Sequence, residues 1–233
     1  MQGVGTVDLF ATKGAEYLLV IGYLVLLAGF WRFLWAPGAA RAKAAAGVRP
    51  GVPPVSRWFD LREGLLFHQG HAWASPSGEG FVRVGMDDFA QKLLGQPAGI
   101  LLPLVGARVA QGEPAWQVQV DGHAIPMLSP IDGEVVEVNR EVAASPTLIN
   151  EEPYDRGWLM RVKVPNPAVA KRNLLSGGLA EAWMNGIAER LRAMPAGELG
   201  VALPDGGFPV AGIARALSPE GWDQVAREFL LSE

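Results

Sequence analysis

Cysteine is absent from this 233-residue chain, and its absence removes several classes of function. Disulfides, thiolate zinc sites, iron–sulfur ligation and a cysteine nucleophile all need a thiol, so none of them is available. Charge is also sparse, because charged residues make up 19% of the chain and the formal net charge is -4. With no dominant basic patch, we expect no nucleic-acid partner.

Recognisable catalytic motifs are also missing. The sequence has no nucleophile elbow, phosphate loop or dinucleotide fingerprint. His68, His71 and His123 are its only histidines, and a three-histidine metal site is an alternative that we do not favour. Asp87 and Asp88 are neighbours, so on a helix they point about 100° apart and fit a helix start better than a shared proton. We predict no catalytic residue, metal, cofactor or small-molecule substrate, and therefore no enzyme.

A long apolar run is present near the N-terminus. Tyr17 to Trp31 carries no charge, and the run continues past Arg32 to Trp35. As a helix, Tyr17–Trp35 would be about 28 Å long, which is close to the thickness of a bilayer core. Basic residues are more frequent after the run, so the positive-inside rule predicts a single-pass protein of the cell inner membrane with the main domain in the cytoplasm. A cleaved signal peptide and a buried helix are the alternatives.

Changes in composition divide the chain into five predicted parts. Proline, glycine, alanine and basic residues follow the apolar run, and short valine-rich segments come next. The predicted parts are a non-cytoplasmic segment at 1–16, a transmembrane helix at 17–35, a linker at 36–56, a β domain at 57–167 and a C-terminal extension with helices at 168–233.

Short strands and tight turns dominate the predicted β domain. The predicted strands are Phe81–Val84, Val118–Val120, Gly133–Val138 and Trp158–Val164. Asp121-Gly122 is a strong two-residue hairpin signal, because both positions of a type I′ turn need positive φ. Met86–Leu94 is predicted to form one short helix between strands.

Five short motifs in this domain stand in an order typical of one family. They are His71-Ala72-Trp73, Val84 through Gln91, Leu102-Pro103 with Gly106 and Gly112-Glu113, Ser129-Pro130 through Asn139, and Ser145-Pro146 through Leu159. Together they resemble the H protein of the glycine cleavage system, a lipoyl carrier, over about 100 residues. The resemblance implies a mainly β barrel-sandwich hybrid. It also explains His71 without a metal and leaves His123 solvated at a turn.

The resemblance also implies a lysine that this chain does not have. In the H family, the lipoyl lysine lies seven residues before the Ser-Pro pair, and that register gives Gly122 here. No lysine occurs between Lys92 and Lys163, so a small shift in register does not restore the site. Because lipoate is attached through a lysine amine, we predict that the fold is kept and the carrier function is lost.

The C-terminal extension is predicted to contain two helices. Leu179–Met194 has apolar residues spaced by four, at Leu179, Trp183, Ile187 and Leu191. A second helix is predicted over Pro219–Leu231, with Ser218 as its N-cap, and a β-hairpin over Leu199–Ala214. Trp183 and Trp222 either cover the barrel or form a docking face for partner subunits.

These observations predict a protein that is not a catalyst. The main hypothesis is a non-catalytic, non-lipoylated accessory or scaffold subunit of a membrane-bound complex, preferably respiratory or redox, whose partners are the other subunits and membrane lipid. One alternative is an interaction component of a lipoyl-dependent carrier pathway. Another is a lipoyl-domain transport adaptor, although such adaptors place the domain outside the cytoplasm.

Overall fold

The structure is a computed structural model that describes residues 9–35, 58–165, 171–193 and 209–232, with side chains at 17–28, 30 and 31 in the first range. The chain divides into two compact units, Met1–Pro50 and Gly51–Glu233. The predicted linker at 36–56 lies outside the described residues, and the predicted domain boundaries remain predictions.

The first unit contains helix α1 (Leu9–Trp35). Within the described part of the chain, no helix combines the length and the apolar character that a membrane crossing requires. The uncharged run between Glu16 and Arg32 would be about 22 Å long, shorter than a bilayer core of about 30 Å. The predicted transmembrane helix and the predicted single-pass inner-membrane location are therefore wrong.

In its described residues, the second unit has nine strands in two antiparallel sheets. The strands are β1 (Leu66–His68), β2 (Ala72–Pro76), β3 (Phe81–Met86), β4 (Gly99–Leu101), β5 (Arg108–Val109), β6 (Pro114–Val120), β7 (His123–Leu128), β8 (Gly133–Val138) and β9 (Met160–Lys163). One sheet has the order β1-β2-β3-β9-β8-β5 and the other has the order β4-β6-β7. The mainly β prediction is confirmed, and all four predicted strands are present.

Buried and exposed side chains alternate along the strands, and the buried ones form the core between the two sheets. In β6, Trp116, Val118 and Val120 are buried while Gln117 and Gln119 face outward. This period of two is the pattern of a strand that has one face in the core. Val84, Val135 and Val162 of the larger sheet are fully buried in the same way and belong to the same cluster.

Three short helices lie between the strands: α2 (Asp88–Leu94), α3 (Arg140–Ala144) and α4 (Leu148–Glu151). Helix α2 begins two residues later than predicted, because Met86 still belongs to β3 and the Asp87 side chain accepts a hydrogen bond from the Ala90 N–H as N-cap. The predicted role of an aspartate at this helix start is confirmed.

Among the described residues, three helices follow the last strand: α5 (Gly177–Arg192), α6 (Ile213–Leu217) and α7 (Trp222–Leu230). The predicted single helix over Pro219–Leu231 is wrong in its first turn. Ser218 ends α6, and Gly221 is the N-cap of α7. Most of the predicted hairpin at Leu199–Ala214 lies outside the described residues, but its end is helical because α6 begins at Ile213.

Helix α5 forms close to its predicted bounds but buries a different face. The predicted face contains Leu179, which is 71% exposed. The buried residues are Ala180, Met184, Ala188 and Leu191, so the inward face is rotated by about one residue along most of the helix. Leu191 is the member of the predicted set that is fully covered.

Candidate functional site: the β6–β7 hairpin tip

The tip of the β6–β7 hairpin contains Asp121 and Gly122, the pair that the sequence singled out. Their φ angles are 46° and 79°, both positive, and Val120 pairs directly with His123 across the turn. This is the geometry of a two-residue type I′ turn. The predicted hairpin is confirmed, and its tip carries a carboxylate and a glycine but no amine.

The hairpin holds its tip in a fixed position because its inner face is part of the core. Val118, Val120, Ile125 and Met127 are each 0% exposed. A slip of the pairing by one residue would turn these side chains toward solvent, so burial fixes the register. The tip residues themselves are exposed, and a Cβ placed on Gly122 would meet no atom within 4 Å.

The C-terminal segment contacts the tip from one side, and we call these contacts the C-terminal clamp. Its members are Arg215, Trp222, Asp223 and Arg227, which contact Asp121, His123 and Ala124. The sequence did not predict Arg215, Asp223 and Arg227 as members of the site. Arg215 and Asp121 are 94 residues apart, and no local pattern indicated their contact.

Arg215 joins the tip to helix α2. Its guanidinium donates to the Asp121 carboxylate and, through Nη2, to the Leu94 carbonyl oxygen at 3.2 Å. The same group lies 5.5 Å from the centre of the Trp222 ring. A Cβ on Gly95 would lie 2.5 Å from Arg215 Nη2, so glycine at position 95 leaves the space that the guanidinium occupies.

His123 is also engaged by the clamp. Its Nδ1 lies 3.5 Å from Asp223 Oδ2, and its ring meets the Trp222 ring edge-on at 5.2 Å. Arg227 Nη2 donates to the Ala124 carbonyl oxygen at 2.9 Å. The sequence predicted a solvated His123, and the side chain is 48% exposed but has an acidic and an aromatic neighbour.

His71 lies in a separate, buried cluster. Its Nδ1–H donates to Asp87 Oδ2 at 2.9 Å, and its ring stacks between those of Phe89 and Trp183, with centroids 4.1 Å and 4.8 Å away. Nε2 has no hydrogen-bond partner among the described residues. Trp183 therefore covers the barrel, as does Trp222, which is only 5% exposed. The structure supports the covering role for both tryptophans rather than an exposed docking face.

The three histidines have different environments. Burial, together with the neighbouring His71, lowers the pKa of His68 below its usual value. Its Nδ1 accepts a hydrogen bond from the Gly70 N–H at 3.0 Å. Within the described ranges, no group of three or more histidine, aspartate or glutamate side chains is arranged to hold a metal ion.

Asp87 and Asp88 have separate partners. Asp88 Oδ2 accepts from the Asp60 N–H at 2.8 Å and from Lys92 Nζ at 2.7 Å, while the Asp88 N–H donates to the Tyr154 hydroxyl oxygen. Burial of that hydroxyl raises the pKa of Tyr154 well above its usual value. These hydrogen bonds connect Asp60, near the start of the domain, to α2, so the role of Asp88 is structural.

Comparisons with known proteins agree with the motifs. The profile of the family described as "Glycine cleavage H-protein" matches residues 65–186. The glycine cleavage system H protein of Vibrio vulnificus is 39% identical over 125 residues, which cover 54% of this chain and 96% of the relative. The mitochondrial H protein of Oryza sativa is 36% identical over 140 residues, covering 58% of this chain and 85% of the relative.

A solved structure is also similar. The glycine cleavage system H protein of Mycobacterium marinum is 30% identical with a TM-score of 0.48, and the match covers 54% of this chain and 99% of the solved chain. The family match and the sequence relatives do not support the predicted role in a respiratory or redox complex. The alternative, a lipoyl-dependent carrier pathway, agrees with them better.

Proposed function

Because the chain belongs to the glycine cleavage H-protein family, we propose that it is a non-catalytic, non-lipoylated interaction component of a lipoyl-dependent carrier pathway. The observation that carries the proposal is the hairpin tip. Gly122 stands at the position where the family resemblance implies the lipoyl lysine, and the strands of its hairpin belong to the core between the two sheets.

The chemistry of lipoyl attachment supports the non-lipoylated role. The attachment is an amide, so it needs a primary amine at the tip. Gly122 has no side chain, and the flanking Asp121 and His123 do not supply an amine. A family member with this tip keeps a surface that partner enzymes can recognise, but it cannot carry a group between them.

The proposed partners are enzymes that handle lipoyl groups, such as a glycine decarboxylase or a lipoate ligase. They would recognise the H-like domain by its shape and surface. Binding without transfer would make this chain a scaffold, or a decoy that competes with a lipoylated H protein. This role requires no cofactor, no metal and no catalytic side chain on this chain.

Attachment is tested directly by mass. We expect the full chain, incubated with lipoate, ATP and lipoate ligase, to keep its unmodified intact mass. The H protein of Vibrio vulnificus, treated in parallel, serves as the positive control for the ligase. A lipoyl-sized mass increase on this chain would contradict the non-lipoylated role.

Binding is tested separately. We expect the full chain to compete with a lipoylated H protein for glycine decarboxylase or for lipoate ligase in a surface-binding measurement. A chain that binds neither enzyme at concentrations where the lipoylated H protein saturates them is not a component of this pathway.

A further inference from the structure

The C-terminal clamp covers the β7 flank of the hairpin tip. We infer that the segment 212–231 blocks the tip against enzymes that acylate a tip lysine, so that carrier chemistry is excluded by the clamp as well as by the missing amine. The inference rests on the proposed function, because it concerns the same tip.

The clamp contacts three of the four consecutive residues from Asp121 to Ala124. Arg215 binds the carboxylate of Asp121, Asp223 and Trp222 meet the His123 ring, and Arg227 binds the Ala124 carbonyl oxygen. At the fourth position, Gly122, an added Cβ would meet no atom within 4 Å. An enzyme that surrounds the tip must therefore displace the clamp or approach from the opposite side alone.

The clamp is itself anchored in the core and is more than a surface contact. Phe229 of α7 is 4% exposed, and its ring centroid lies 5.6 Å from that of Phe89 in α2. The Gly212 N–H donates to the Lys92 carbonyl oxygen at 2.8 Å. Displacing α7 from the hairpin would therefore expose buried apolar surface, which is unfavourable.

Acylation requires close access to the tip. In the attachment step, the lysine Nζ attacks the carbonyl carbon of the lipoyl-adenylate, AMP leaves, and Nζ loses a proton as the amide forms. The reacting carbon lies inside the ligase, so the ligase must contact the flanks of the hairpin as well as its end. A ligase that binds the rest of the domain therefore meets Arg227 of α7 on the β7 flank of the tip, where Arg227 donates to the Ala124 carbonyl oxygen.

The tip offers room for a direct test. A side chain at position 122 meets open space, so Gly122→Lys places an amine at the end of the hairpin without a clash. The positive φ of 79° makes this variant moderately strained, which is acceptable because the strain is the same in all three proteins compared below.

Three full-length proteins separate the clamp from the missing amine. The first carries G122K alone. The second adds R215E and R227E, which place negative charges against Asp121 and the Ala124 carbonyl oxygen. The third adds R62E and R156E, which make the same change in charge at exposed arginines that pair with Asp155 and Glu141 instead of the tip.

Each protein is incubated with lipoate ligase, lipoate and ATP, and the rate of the lipoyl-sized mass increase is measured. We expect the protein with the opened clamp to be acylated at least about tenfold faster than the other two, a difference of about 1.4 kcal/mol. Hydrogen exchange at the amides of residues 121–124 confirms that the tip is released while α7 stays packed through Phe229. R215Q with R227Q replaces the charge reversals if these prevent folding.

The inference is overturned if G122K alone is acylated as fast as the protein with the opened clamp. It is also overturned if an opened clamp, verified by exchange, leaves the lysine unmodified. Neither result affects the proposed function, which fails instead if the natural chain gains a lipoyl group or binds neither pathway enzyme.

Discussion

At the scale of single residues, Asp87 connects the start of α2 to the buried His71 ring. One carboxylate oxygen caps α2 through the Ala90 N–H at 2.8 Å, and the other accepts from His71 Nδ1 at 2.9 Å. Both side chains are at most 1% exposed. Water cannot replace either bond without opening the core.

Asp87→Ala is therefore expected to lower the free energy of unfolding by about 2–4 kcal/mol, since it removes a helix cap and leaves a buried imidazole N–H without an acceptor. Urea denaturation measures the change. Asp155→Ala is the matched control, because Asp155 is paired with Arg62 at the surface and its loss should cost less than about 1 kcal/mol. Equal losses for the two variants would show that Asp87 has no special role.

His68 gives the domain a predictable response to pH. Its pKa is lowered in the folded state, so the unfolded chain binds the proton more readily. The resulting contribution to stability is fully present above the unfolded pKa of about 6.5 and is lost as the pH falls below it. We expect the loss of unfolding free energy between about pH 7.5 and about pH 5 to be smaller in His68→Asn, whose amide oxygen can still accept from the Gly70 N–H. An unchanged loss would assign the pH response to other groups.

At the scale of elements, one glycine faces open space and another faces a packed ring, so their replacement by alanine should change the free energy of unfolding in opposite directions. Gly186 lies in α5, and a Cβ added there would meet no atom within 4 Å, so Gly186→Ala should raise the free energy of unfolding by about 0.5–1 kcal/mol. Gly85 in β3 faces Trp73, and a Cβ there would lie 2.5 Å from ring atoms. Gly85→Ala should lower the free energy of unfolding by about 1–3 kcal/mol. Thermal unfolding of both variants checks the pair, and the same sign for both would refute the packing argument.

Elements were predictable where local chemistry determines them. Asp121-Gly122 specifies its turn because both residues accept positive φ, and Gly133–Val138 specifies a strand by its valines. The buried face of α5 was not predictable in the same way. Its large apolar side chains suggested one face, but the space beside the barrel accepts Ala180 and Ala188 instead.

The site was predictable only in part, for a related reason. The hairpin and the absence of a lysine follow from residues 119–123, which are adjacent in sequence. The contact between Arg215 and Asp121 depends on the path of the chain through α5 and α6, which no local signal encodes. The start of α7 was predicted a turn too early for a similar reason, since Ser218, a preferred N-cap residue, is the C-cap of α6 instead.

At the scale of the whole second unit, the C-terminal helices and the barrel share one core. Phe229 and Leu230 of α7 belong to the same buried cluster as Val84, Val118 and Val162 of the sheets. A shared core predicts that the barrel and these helices unfold together in one cooperative transition. If so, the clamp cannot detach as a separate unit under native conditions.

Phe229→Ala tests this coupling. Removal of the ring from its contacts with Phe89 should lower the global free energy of unfolding by about 3–5 kcal/mol. Because the core is shared, hydrogen exchange should show the same loss of protection at amides of β2 and β3 as at those of α7. Loss of protection confined to α6 and α7 would mean that the C-terminal helices open independently, and the hairpin tip would then be periodically released from its clamp. Leu179→Ala is the matched control, since this residue is 71% exposed and its truncation should leave both sets of amides unchanged.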